Sequence, residues 1–579
     1  MRANNWMISL AVLALAGCDG GADMAPLADG TDGALSESAA DLVIWGGPIY
    51  TARDDQPMVE AVAVRGNRIA FVGDDEAAQA WIGEGTRLVD LNGAAMYPGF
   101  TDSHIHVYGV GQRERTLNLD NVTSVADLVD RVAAAIADTP AGATLAGRGW
   151  IETHWPEGRF PTRQDLDPVS PNNPVILRRA DGHALVANSA ALAAVGITRD
   201  SLAPSGGEIL FDADGEPTGL LVDTAMGAVS PLMETPSPDV IRDTYADGAR
   251  RLVSLGWAGA HDMSVPWSMV PVIEGLAEAG DLPLRTYLSV GPEGYAPLAA
   301  GGHRDVADGR VITRAVKLYM DGALGSRGAA LLEPYADRPE TSGLAIAEAD
   351  ETIGLFTDAL RQGIQMNVHA IGDRGNRYLL DWVEEARAQV PPEEWALADP
   401  RWRDEHSQII APADIPRFAE LGVIASFQPS HAIGDLHFAP DRLGDDRLDG
   451  AYAWQSLLDA GAHITGGSDA PVEQGDPRIE FYAAVARADL SGFQGENWHA
   501  EEALSRADAL KLFTAWPAYA SFREDELGTI AVGMIADFTV FSEDIMTIPE
   551  ADILTVEPWM TVVDGEVVYE SPDSFHHGE

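Results

Sequence analysis

"GFTDSHIHVYG", residues 99–109, closes a short apolar run that begins at Met96 and carries two histidines one residue apart. Side chains two apart on a strand share one face, so His104 and His106 can address a single metal ion if this run is a β-strand. The doublet alone says little. With 14 histidines in 579 residues, a His-x-His pair arises by chance roughly 0.3 times. Its meaning depends on what surrounds it.

Moving outward, seven further short apolar runs follow: Trp257 to Met263, Leu284 to Val290, Ala315 to Asp321, Ile364 to Ile371, Arg403 to Ile410, Val423 to Gln428, and His463 to Asp469. Helical patterns such as "ADETIGLFTDALRQG" and "GNRYLLDWVEEARAQV" separate most of them. Strand-then-helix alternation marks a parallel α/β architecture, and eight strands make a (β/α)8 TIM barrel. About 150 residues separate the first run from the second, far more than a βα connection needs. Residues of about 115–235 therefore form a large insertion after barrel strand 1, with a helix in "SVADLVDRVAAAIAD" and strands in "VILRRA" and "GEILFD". It leaves the barrel at the rim where this fold keeps its chemistry.

The barrel is bracketed by β-rich ends. "DLVIWGGPIYT", "AVAVRGNRIAFVG" and "TRLVDLNGAAMYPGF" precede it, and "GTIAVGMIADFTVFS" and "WMTVVDGEVVYES" follow, the last a hairpin turning at Asp564-Gly565. Residues 41–97 and 527–570 are expected to form one small β-sandwich domain around a barrel spanning 98–526, with 571–579 as a tail; two separate caps are the alternative.

The first residues read differently. Arg2, an apolar run from Trp6 to Ala16, and Leu15-Ala16-Gly17-Cys18 resemble a bacterial lipoprotein signal peptide over 1–17 with Cys18 as the acylated residue. The run is too short to span a bilayer, which takes about 20 residues. Residues 18–40 are rich in Gly, Ala, Ser and Asp and read as a flexible tether. The expectation is an exported protein of the bacterial cell envelope, lipid-anchored to a membrane on its periplasmic or extracellular side. Cys18 is the one cysteine, so neither an internal disulfide nor a cysteine zinc site is available. Ninety acidic against 38 basic residues give a net charge of −52, which repels phosphates and excludes nucleic acid as a partner.

Candidate ligands recur where the barrel strands end. His104 and His106 close strand 1, Lys317 lies in strand 4, His369 in strand 5, His406 in strand 6, and Asp469 ends strand 8. Alone, each has a plain reading as a core histidine, a surface lysine or a turn aspartate. Together they are six possible ligands from five strands at one barrel end. His261 and His431, just after strands 2 and 7, and His183 in the insertion are candidates to touch substrate, with packing roles equally open.

The ordered motifs "PGFTDSHIH", "VKLYMDGALGSR", "NVHAIGD", "EHSQ", "GGSDAPV" and "GMIADFTVF", with "GRGWIET" at 147–153 and "GHALVANSAAL" at 182–192, resemble the metal-dependent amidohydrolase superfamily. The branch they resemble is amidohydrolase family 3, which includes N-substituted formamide deformylases. That resemblance implies two divalent ions, zinc first among them: one held by His104 and His106 with Asp469, the other by His369 and His406. It also implies a CO2-derived carbamate on Lys317 that bridges both. An ammonium cannot bind a cation, whereas a carbamate supplies two anionic oxygens. The implied reaction is hydrolysis of a non-peptide C–N (amide) bond by a metal-bound hydroxide, with Asp469 as the catalytic proton shuttle. Arg327 and His183 are candidates to orient substrate or stabilise an oxyanion. Esters, lactones or carbamates are alternative substrates, and an inactive anchored ligand-binding protein is the rival of another class. The expected partners are a small-molecule substrate, a membrane through the lipid anchor and, as an allowance, further copies of the chain as a homo-oligomer.

Overall fold

The computed structural model describes residues 39–574 except 154, 181, 205, 206, 234, 235, 496 and 497. The expected signal peptide, Cys18, most of the expected tether and the last five residues lie outside the described residues.

Eight strands build the barrel: β1 Phe100–Ile105, β2 Trp257–Val265, β3 Arg285–Val290, β4 Val311–Tyr319, β5 Gln365–Ala370, β6 Arg403–His406, β7 Ile424–Phe427 and β8 Ile464–Gly466. Neighbours pair in that order and always in parallel. Between β8 and β1 no ladder forms among the described residues, but the seam is tied. Ser103 and Thr465 hydroxyls meet at 2.5 Å, and the Asp469 and His106 amides donate to His104 and Ala470 carbonyls at 2.6 and 2.8 Å. Gly467 permits this approach, because a Cβ there would sit 2.3 Å from the His104 nitrogen. The fold is thus a nearly closed (β/α)8 barrel.

The helices follow from their apolar spacing. In Ala349–Gln362 the buried residues Thr352, Phe356, Ala359 and Leu360 fall on one face, and Gly363 at φ +70° ends the helix in a left-handed cap. Pro238–Leu255, before β2, starts at a Ser237 cap and stops the same way at Gly256.

Several strand boundaries depart from the sequence reading: β6 stops at His406 rather than Ile410, and β8 at Gly466 rather than Asp469. The run from Met96 to His106 is two strands, because Ala95–Pro98 pairs in another sheet and Gly99 hands the chain over to β1. A Cβ on Gly99 would lie 2.7 Å from Ala258 and 2.9 Å from Asp537, so only glycine fits this passage. The fourth strand begins at Val311, not Ala315, and ends at Tyr319. Met320 and Asp321 turn away, and the Asp321 carboxylate accepts from the amides of Ala330, Ile371 and Gly372.

Both chain ends share the small β domain. Phe538–Phe541 pairs antiparallel with Ala95–Pro98 in a six-stranded sheet, which faces a four-stranded sheet containing Leu42–Trp45. Val62, Val64, Phe538, Val540 and Met560 fill the space between them. The closing hairpin turns through Asp564 at φ 54° and Gly565 at φ 76°, the two left-handed residues that a tight hairpin demands. The insertion has its own six-stranded sheet, from Leu117–Asn118 to Pro217–Asp223, with the helix Val125–Asp138 beside it. Separate apolar clusters cover its faces, one around Leu128, Trp150 and Leu177, the other around Ile176, Leu185 and Leu221. No helix of the described residues is long and apolar enough to cross a membrane.

Candidate metal centre

The C-terminal ends of the strands carry the polar residues. His104 is 1 % exposed at the end of β1, and its Nδ1 lies 2.7 Å from Glu405 Oε2 on β6. His106 Nδ1 donates to the Met263 carbonyl at 3.0 Å, and His406 Nδ1 to Gln428 Oε1 at 2.7 Å. An Nδ1–H engaged in this way leaves Nε2 with a free lone pair. Those Nε2 atoms converge with Asp469, whose Oδ1 is 3.1 Å from His106 Nε2 and 3.7 Å from His104 Nε2.

Burial sets the charge states. It lowers His104 to about 4, helped by the Lys317 charge, and His369 to about 3. Both imidazoles are neutral at pH 7 and able to bind a cation. Burial alone would raise the Asp469 carboxyl, but positive charge at the His104 and His106 rings, the part a bound cation takes over when both are neutral, outweighs it and holds it well below the usual carboxylate range. Lys317, 1 % exposed, is pushed down to about 8 by burial, and its Nζ lies 3.2 Å from His104 Nε2. Burial would likewise raise Glu405, yet Arg403 and His104 bring it down to about 2.

The donor set fits a divalent cation. With its proton on Nδ1, His106 Nε2 faces the buried Asp469 Oδ1 lone pair to lone pair, and that oxygen has no hydrogen-bond partner. Only a shared cation or proton makes such a contact favourable. The ligand atoms of His104, His106 and Asp469 lie within 4.8 Å of one another, and so do those of His406, His431 and Asp469.

Five of the six expected ligands thus meet directly. His369 joins through its ring, centred 4.4 Å from that of His406, while its Nε2 faces Asp321 Oδ1 at 3.5 Å. His431, read from the sequence only as a substrate-contact candidate, is the third member of the second group. It sits on the helix Pro429–Asp435, stacked 6.0 Å from His406, with Nε2 3.8 Å from Asp469 Oδ2. Gln408 Nε2 donates to its Nδ1 at 2.9 Å, which puts the His431 proton on Nε2.

The other candidate substrate residues have partners of their own. His261 lies inside β2, not after it, and accepts from Arg403 Nη1 at 2.9 Å. With Arg285 and Tyr287 it lines a cavity facing the small β domain. Arg327 grips Asp337 through two bonds of 3.1 and 2.6 Å, and His183 Nδ1 lies 2.8 Å from Asp223 in the insertion. Sequence reading passed over Arg403, Glu405, Gln408 and Gln428. The visible signal was "RDEH" itself, four polar residues in a row that make up an entire buried strand.

A family model described as the amidohydrolase family matches residues 87–569. The Bacillus subtilis protein YtcJ, named for amidohydrolase, is 35% identical over 538 residues, covering 91% of this chain and 99% of its own. N-substituted formamide deformylase of Arthrobacter pascens is 27% identical over 554 residues, covering 92% and 99%. The crystal structure of an uncharacterized metal-dependent hydrolase from Pyrococcus horikoshii has a TM-score of 0.72 at 26% identity, covering 88% of this chain and 99% of its own.

Proposed function

This chain belongs to the amidohydrolase family and is a metal-dependent hydrolase, and on that premise we propose that it cleaves a non-peptide C–N bond in a small amide. His104, His106 and Asp469 would hold one divalent ion, His369 and His406 a second, with Lys317 as a carbamate between them and zinc as the metal suited to this imidazole and carboxylate set. Such ions supply an acidified water and a polarised carbonyl. The observation that carries the reading is the 3.1 Å approach of His106 Nε2 to Asp469 Oδ1.

The chain's own groups do the proton work. Asp469, kept anionic beside His104 and His106, takes the proton of the attacking water and delivers it to the leaving nitrogen. His431 presents its Nε2–H beside Asp469 and can donate to the carbonyl oxygen as charge develops there. The relative that acts on N-substituted formamides supports an amide over an ester. We further place the protein on the cell envelope, anchored through Cys18.

The test is metal analysis of the purified protein followed by a turnover panel of amides, esters, lactones and carbamates. Bound zinc with released amine supports the proposal. Released alcohol alone moves the assignment to esters, and bound ligand without turnover would leave a binding protein.

A further inference from the structure

Behind His104 lies a buried polar column that the reaction itself does not use. Glu405 Oε2 accepts from His104 Nδ1, and its Oε1 lies 2.7 Å from Arg403 Nε. Arg403 in turn donates to the Ser103 carbonyl at 2.6 Å, to Ser426 Oγ at 2.8 Å and to His261 Nδ1 at 2.9 Å. One guanidinium thereby links β6 to β1, β2 and β7. Arg403 and Glu405 are fully buried, and His104 and His261 are 1 % and 2 % exposed.

We infer that Arg403 and Glu405 are positioning residues that fix the tautomer and raise the donor strength of His104, so that the ion at His104 and His106 is bound more tightly than the other. This rests on the metal centre proposed above. Two observations carry it. First, a buried ion pair contributes little net stability, since desolvation consumes most of its attraction, so stability alone does not account for it. Second, the centre is asymmetric. His106 and His406 lean on neutral oxygens, of Met263 and Gln428, whereas His104 leans on an ion-paired carboxylate. A carboxylate behind an imidazole raises the basicity of the opposite nitrogen, and losing such a partner typically costs 10–100-fold in metal affinity.

The test is zinc retention by the full-length protein against graded chelator, read as zinc per chain, with the thermal midpoint of the metal-free and zinc-loaded forms. Glu405→Gln keeps an oxygen for His104 Nδ1 but removes the charge. Its more tightly held zinc should be lost at about 10–100-fold lower chelator concentration, and the rise in midpoint on zinc loading should shrink. A purely structural role would lower both midpoints together and leave that rise unchanged. Glu405→Asp, which keeps the charge for Arg403 but falls short of His104, should fold as the wild type does and lose part of the retention. Wild-type retention in a folded variant of either kind overturns the inference. Wild-type protein that takes up no zinc overturns the metal centre itself.

Discussion

Asp469 Oδ1 stands 3.1 Å from His106 Nε2, and the hydrogen that would make this a hydrogen bond is on the other side of the ring, given to Met263. A group placed there is both a ligand and the nearest base. Asp469→Asn keeps the size and one oxygen but removes the basicity. Zinc held by His369, His406 and Lys317 should remain, while amide turnover falls by about 10²–10⁴-fold. Activated aryl esters, whose leaving groups need no proton, should lose less. Equal losses on anilides and aryl esters would reduce Asp469 to a ligand.

Lys317 gives a pH dependence with a definite sign. Burial pushes its ammonium down to about 8, below the unfolded value of about 10.4. The unfolded chain therefore binds more protons between those two values, and the metal-free fold should gain stability as pH rises through that window. Carbamate formation needs the neutral amine, so uptake of zinc with bicarbonate by metal-free protein should increase through pH 8. Lys317→Ala should lose zinc and activity, with partial rescue of both by short carboxylic acids. Unmodified lysine in a fully active loaded enzyme, read by mass, would remove the bridge.

Arg285 ties the base of β3 to the small β domain, gripping Asp537 at 2.8 and 3.2 Å and Asp564 at 2.6 Å. Arg285→Ala leaves two carboxylates without this partner. The cost should be about 3–5 kcal/mol in chemical denaturation, as for other buried pairs broken on one side. Zinc content should not change, because the clamp lies at the barrel end away from the ligands.

The contrast between these sites follows what local sequence can encode. His104 and His106 were legible because a strand repeats every two residues, and Asp469 because it closes the last apolar run, within "GGSDAPV". Phe100 and Met96 looked like one strand, since both are apolar and nothing local marks the sheet change at Gly99. Glu405 was harder. Its partner His104 lies 301 positions away, and only the barrel's register brings the two together. The sheet order of the insertion was illegible for the same reason, as was the approach of His431 to His406 and Asp469.

Cys18 lies outside the described residues, so its role rests on the Leu-Ala-Gly-Cys pattern. Two or more acyl chains hold a protein stably on a membrane, where one alone binds marginally. Cys18→Ala should shift the protein from the membrane to the soluble fraction with unchanged turnover. Wild-type protein found soluble with an unmodified N-terminus would end this assignment.

His431 and His406 are stacked imidazoles with opposite tautomers. Gln428 accepts from His406 Nδ1 and frees its Nε2 for a metal, whereas Gln408 donates to His431 Nδ1 and leaves a proton on its Nε2. A nitrogen that carries a proton cannot ligate, so the pair should behave differently when each is removed. His406→Asn should lose zinc. His431→Asn should keep it, with kcat lowered by about 10²–10³-fold, the usual loss for one donor to a developing oxyanion. Restoring a donor of similar reach with His431→Gln should recover part of kcat at unchanged zinc content. If His431→Asn instead loses one zinc per chain, the second group around Asp469 is a ligand set that includes His431, and the donor to the oxyanion must be sought among the insertion residues.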